Sequence, residues 1–171
     1  MRSPLPTRLI MVARLLRSTD FQRVLAAPAR SRSTHFAVHH LPAGPSPSAA
    51  QLRMQAKAEL STGDAPSRPP LVDESGVVAL VKAVEPAPTG CWLGLVVPKR
   101  HAKRSITRNL LKRQMRTVMA AQVSSLAPGL WVLRLKAPFD RQQFTSPGSE
   151  PLRQAAGDEL TQLLQRAAAR R

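Results

Sequence analysis

Residues 91–116 read CWLGLVVPKRHAKRSITRNLLKRQMR. The run from Cys91 to Pro98 is apolar and rich in strand-forming residues, and the proline closes it, which predicts a buried strand. From about Ser105 to Gln122 the apolar residues Ile106, Leu110, Leu111, Met115, Val118 and Met119 recur at helical spacing. At about 100° per residue, Arg108, Asn109, Lys112, Arg113 and Arg116 gather on an arc of roughly 140°, away from the apolar residues. A buried strand therefore runs through a cationic turn into a helix with one packing face and one basic face, the pattern of an α/β domain.

Working outward, Pro128 and Gly129 turn the chain into Leu130 to Lys136, where Trp131, Leu133 and Leu135 alternate with Val132, Arg134 and Lys136 as in a strand. A final helix is predicted from a Ser149 cap to about Ala169, with Leu152, Ala156, Leu160, Leu163 and Ala167 on one face. Towards the N-terminus, Val77–Val84 reads as a strand beside Cys91–Pro98, and His35–Leu41 as another, ended by Pro42. Ser18 or Thr19 is placed to cap a helix through about Ala27, with Asp20 in its first turn and Phe21, Val24 and Leu25 on one side. Residues 43–75 are rich in proline, serine and alanine and read as a low-complexity insertion around one weak helical stretch.

The chain has 171 residues, 26 of them Lys or Arg against 10 Asp or Glu, for a formal net charge of +16. One domain with loose segments fits this length, and such a charge seeks polyanions. From Pro86 to Phe139 there is no acidic residue and there are ten basic ones, eight of them within residues 98–116. Cations at 108, 112 and 116 repel one another along a helix, a cost that bound phosphates remove. Solvated helix faces usually mix both signs.

The single cysteine, Cys91, excludes an internal disulfide and a multi-cysteine zinc site; beside Trp92 it reads as a small buried hydrophobe in a reducing, cytoplasmic context. No run approaches the roughly 18 apolar residues of a membrane span. Met1–Arg17 lacks the apolar core of a secretory signal. The acids are scattered, with Asp73–Glu74 and Asp158–Glu159 the only adjacent pairs, and His35, His39, His40 and His101 form no HExxH. Neither a catalytic carboxylate pair nor a metal site is expected in the protein.

GLVVPKRHAKRSITRNLLKRQMR resembles the signature of the bacterial ribonuclease P protein family, a strand and Lys-rich turn followed by a helix of pattern Arg-Asn-Arg-x-Lys-Arg-x-x-Arg. Arg108, Asn109, Lys112, Arg113 and Arg116 match that pattern, whereas Leu110 stands where the family has its second arginine. Ser18, Asp20, Phe21, Gln22 and Val24 resemble the family's first helix. The resemblance implies an αβββαβα two-layer sandwich with a mixed central sheet and a left-handed crossover. A flexible basic segment over 1–17 would precede the domain, 18–171, interrupted by the loop 43–75.

The resemblance further implies a subunit of a tRNA 5′-maturation endoribonuclease whose catalytic centre and magnesium ions belong to an RNA. The partners would be the ribonuclease P catalytic RNA and precursor tRNA, with no membrane and no DNA. Lys99, Arg100, Lys103, Arg104, Arg108, Asn109, Lys112, Arg113 and Arg116 would contact RNA. Phe21, Leu25 and Phe36 match the lining of the family's cleft for the single-stranded 5′ leader, where apolar surfaces sit under bases. Charge alone also admits a basic ribosomal or structural RNA-binding protein without a role in tRNA processing. A helix-turn-helix DNA reader would need a helix just before the basic one, where the sequence has a strand.

Overall fold

The computed structural model describes residues 12–47, 53–54, 88–140, 142–146 and 148–169. The chain divides into two compact units, Met1–Pro45 with Pro86–Arg171, and Ser46–Glu85. Most of the expected insertion 43–75 and the expected strand Val77–Val84 lie outside the described residues.

The first unit runs β1 (Val12–Arg14), α1 (Ser18–Ala26), β2 (Ala29–Arg32), β3 (Phe36–Leu41), β4 (Cys91–Val96), α2 (Ser105–Gln122), a short 3-10 turn (Val123–Ser125), β5 (Gly129–Leu135) and α3 (Glu150–Ala169). The strands form one mixed sheet in the order β1-β4-β5-β3-β2. β1, β4 and β5 are parallel, and β3 is antiparallel to both β5 and β2. The αβββαβα order expected from the resemblance is present from α1 onward, with β2 taking the place in the count expected for Val77–Val84.

Alternation along each strand sorts side chains to two faces. Phe36 and Val38 of β3, Cys91 and Leu93 of β4, and Trp131, Leu133 and Leu135 of β5 share one face with Leu111, Met115, Val118 and Met119 of α2 and Leu160, Leu163 and Leu164 of α3. On the opposite face, Leu130 and Val132 pack with Leu15 and with Val24 of α1, joined by the partly buried Phe21, Leu25 and Trp92. Cys91 is buried as expected, and burial pushes its thiol pKa up despite a hydrogen bond from Gly129 that lowers it. At the start of β5, Gly129 has φ +135°, and a Cβ there would stand 2.5 Å from the Leu41 carbonyl oxygen, so glycine fits this entry uniquely.

Three readings from the sequence are corrected here, and one strand that the sequence did not mark is added. Val12–Arg14, expected in a flexible leader, is a strand hydrogen-bonded along β4. Ala29–Arg32 is a strand despite its ARSR sequence, because pairing with β3 and not intrinsic preference forms it. The cap of α1 falls on Arg17 and no side chain caps the helix, so Ser18 and Thr19 lie within its first turn. Ile106, counted with the packing face of α2, is 58% exposed. Ser149 does cap α3, its Oγ accepting the Leu152 N–H at 3.4 Å.

Candidate nucleic-acid interface

Between β4 and α2 the chain folds into a tight turn, in which the His101 and Ala102 N–H groups donate to the Pro98 carbonyl at 3.1 and 3.2 Å. Ala102 is buried and anchors the turn, leaving Lys99, Arg100, Lys103 and Arg104 exposed around it. Burial of Leu111, Met115, Val118 and Met119 then fixes how α2 is rotated. Asn109, Arg113 and Arg116 face solvent, while Arg108 and Lys112 are half-buried at the margin. Leu110, in place of an arginine, packs against the core from its edge. The turn and helix thus present the eight cations of residues 98–116 on one acid-free element pair, and among the described residues no ion pair holds any of them.

Arg108 differs from the others. Its guanidinium Nη1 donates to the Ala102 carbonyl at 3.0 Å and the Lys103 carbonyl at 2.6 Å. The side chain therefore ties the turn to the first turn of α2, whose Arg104 cap has no side-chain hydrogen bond. Sequence periodicity places Arg108 among the RNA contacts and cannot show that backbone carbonyls occupy it.

The second candidate surface is the α1 face of the sheet. Phe21 and Leu25 are partly buried there. Phe36 is not: it is fully buried on the other face, with its ring 5.8 Å from that of Phe139. The expectation that Phe36 shares a cleft with Phe21 and Leu25 is therefore wrong, because the parity of β3 turns it towards α2 and α3. In register with Ala37, whose side chain is on the α1 face, stand Arg32 of β2, Arg134 of β5 and, beyond it, Val96 of β4. This row, with Trp92 in the next but one, supplies cations and an aromatic ring that the sequence reading did not single out. The Arg134 Nε is buried without a hydrogen-bond partner among the described residues. The alternation of β5 could have flagged Arg134, but only the strand order brings Arg32 into line with it.

No group of three or more His, Cys, Asp or Glu side chains among the described residues is arranged to hold a metal ion. Among the same residues no helix is long and apolar enough to cross a membrane.

The model of the Ribonuclease P family matches residues 11–167. The chain belongs to the ribonuclease P protein family. The ribonuclease P protein component of Burkholderia pseudomallei (strain 1106a) is 41% identical over 83 residues, covering 47% of this chain and 61% of that protein. That of Ralstonia pickettii (strain 12J) is 36% identical over 73 residues, 43% of this chain and 51% of its own length. The matched stretch thus spans about three-fifths or less of these relatives. Among solved structures, the Staphylococcus aureus RNase P protein superposes with a TM-score of 0.52 over 94% of this chain and 100% of its own, at 14% identity, which is a likeness of fold.

Proposed function

We propose that this protein is the protein component of a ribonuclease P holoenzyme. It binds the catalytic RNA through the turn and the outer face of α2, and it holds the 5′ leader of precursor tRNA on the α1 face of the sheet. It thereby assists endonucleolytic removal of the leader. The observation that carries the reading is the concentration of eight cations, without an acid, on the turn and helix that bear the family's motif. Duplex and folded RNA present phosphates to such a surface, and the binding is electrostatic.

Hydrolysis itself is assigned to the RNA, which would hold the magnesium ions; the protein's residues bind and orient. Phe21, Leu25 and Trp92 offer apolar ground for leader bases, and Arg32 and Arg134 offer charge for the phosphates between them. The compartment of such an enzyme is the cytoplasm.

Processing of a precursor tRNA by the cognate ribonuclease P RNA, with and without this protein at low magnesium, tests the reading. Strong stimulation of correct 5′ cleavage, with no cleavage by the protein alone, is the expected result. Tight binding of other structured RNA without stimulation would instead favour a structural RNA-binding role.

A further inference from the structure

Arg30 of β2 and His40 of β3 meet on the α3 face of the sheet. His40 is in register with Trp131 of β5 and lays its imidazole over the indole, with ring centroids 4.2 Å apart. Arg30 is the residue passed over where the β2–β3 register slips, between Ala29 opposite His39 and Ser31 opposite Val38, and such a bulge re-aims a side chain. Its guanidinium lies 5.7 Å from the centroid of the Trp131 ring. From there Arg30 Nε donates to the Ala167 carbonyl, in the last turn of α3, at 2.7 Å, and Nη1 stands 3.1 Å from His40 Nδ1. The other ring nitrogen, Nε2, stands 3.1 Å from the Pro128 carbonyl.

A guanidinium nitrogen only donates and a carbonyl oxygen only accepts, so the two contacts of the ring are both hydrogen bonds in one state alone, the neutral tautomer with its proton on Nε2. The other neutral tautomer loses both. The imidazolium keeps the Pro128 bond but turns a second N–H and a positive charge against Arg30. We infer that His40 is a pH-sensitive latch on the end of α3: the neutral ring seats Arg30 against the Ala167 carbonyl, and the imidazolium drives Arg30 off and releases the last turn. The surroundings contain little to soften that repulsion. Among the described residues β2 brings Arg30, and β5 and the turn before it bring the Trp131 ring and the Pro128 carbonyl. His39, next on β3, points to the other face and bonds the Ala27 carbonyl, while Arg166 of α3 is exposed and bonds the Gln162 carbonyl.

Burial pushes the His40 pKa down from 6.5, the Pro128 carbonyl draws it up, and the Arg30 charge lowers it again, for a net fall. A base whose pKa is lower when folded contributes stability above its unfolded pKa and loses it as pH falls through the folded value. The end of α3 should therefore loosen once pH drops below about 6.5, before the Glu159 carboxylate titrates below 4.5.

The test is nuclear magnetic resonance of the full chain with ¹⁵N in its imidazoles, followed from pH 7.5 to 5. His40 should be protonated on Nε2 alone at the upper end and should titrate below 6.5. Over the same range the amides of residues 167–169, corrected for intrinsic exchange, should lose about tenfold in protection, the worth of one hydrogen bond to a charged group. Arg30→Met should raise the His40 pKa and leave those amides weakly protected at every pH. His40→Asn, which keeps an acceptor near the place of Nδ1 but cannot be protonated, should make their protection independent of pH. A ring protonated on Nδ1, a titration at or above 6.5, or an acid loss of protection as large in His40→Asn as in the parent would overturn the inference. If His40→Asn fails to fold, the tautomer and titration of the parent still decide it.

Discussion

Phe21 packs onto Gly94 so closely that a Cβ at position 94 would stand 2.5 Å from Phe21 Cε1 and 2.9 Å from its Cζ. Leu15 Cδ2, at 3.1 Å, blocks the other side. The missing side chain of β4 is thus what lets α1 settle on the sheet. Gly94→Ala should displace the ring and lift α1, at a cost of about 1–3 kcal/mol typical of overpacking. Urea unfolding measures it. A variant as stable as the parent would show that Phe21 moves aside freely and that α1 is loosely held.

Arg108→Ala should destabilise the protein by about 1–2 kcal/mol, because it leaves the Ala102 and Lys103 carbonyls without their charged donor. Helical periodicity alone would have Arg108 removable without loss, as an outward-facing cation. Arg113→Ala, at an exposed position, should stay within about 0.5 kcal/mol of the parent. Parallel thermal melts decide the matter, and equal melting temperatures for the two variants would return Arg108 to the free cations.

Glu159 of α3 accepts the His35 backbone N–H at 2.7 Å and pairs with His35 Nδ1 at 2.7 Å, beneath a His35–Phe139 stack with centroids 4.0 Å apart. Burial pushes the Glu159 carboxyl up, but hydrogen bonds from the His35 backbone, the Ser33 hydroxyl and the His35 ring outweigh it, and the net shift is downward from 4.5. A carboxylate whose pKa is lower when folded contributes stability above its unfolded pKa and loses it as pH falls through the folded value. Stability should therefore fall with acidification below about pH 4.5, and Glu159→Gln should flatten that part of the profile while lowering stability at neutral pH. Identical acid limbs for parent and variant would dismiss this link between α3 and the start of β3.

What was legible in the sequence were the elements whose side chains repeat on a period. The eighteen residues of α2 were bounded correctly because Leu111, Met115 and Val118 mark a buried stripe against a charged one. β1 and β2 left no such trace. Three and four residues long and partly polar, they exist because β4 and β3 offer hydrogen bonds at their edges. Of the candidate site, the basic residues were legible as a charge pattern, but their division of labour was not. Which residue touches a carbonyl, as Arg108 does, depends on how the turn folds back. The face assignment of Phe36 failed for a related reason: alternation shows that a strand has two sides but does not say which helix covers each.

Phe36→Ala should cost about 3–5 kcal/mol, as emptying a fully buried aromatic site usually does. Any RNA that still binds the folded variant should bind with unchanged preference. Phe21→Ala removes a half-buried ring, and its signature should be weaker binding of precursor relative to mature tRNA by the holoenzyme, by about 1–3 kcal/mol for one base that no longer stacks. Unfolding and tRNA-binding measurements on the two variants separate a core residue from a cleft residue. Loss of leader discrimination in Phe36→Ala, or its full retention in Phe21→Ala, would reverse the placement.

Lys112 and Arg113 make the cleanest test of the outer face of α2. Neither donates a side-chain hydrogen bond to another described residue, both lie in the acid-free stretch, and the apolar packing of the helix is made by Leu111, Met115, Val118 and Met119. Their joint replacement by alanine should therefore leave stability within about 0.5 kcal/mol of the parent. Affinity for the ribonuclease P RNA should fall, and so should its steepness with salt. Each phosphate that the protein ceases to neutralise takes about 0.7–0.9 off the log-log slope, according to whether the RNA is single- or double-stranded. The double variant should flatten the line by roughly 1.5, and the difference from the parent should be largest at low salt, where counterion release is worth most. Phe21→Ala supplies the contrast, because stacking releases no counterions and its removal should shift the line without tilting it. An unaltered slope in the Lys112 and Arg113 double variant, with the fold intact, would mean that this face meets solvent and that RNA lies elsewhere on the protein.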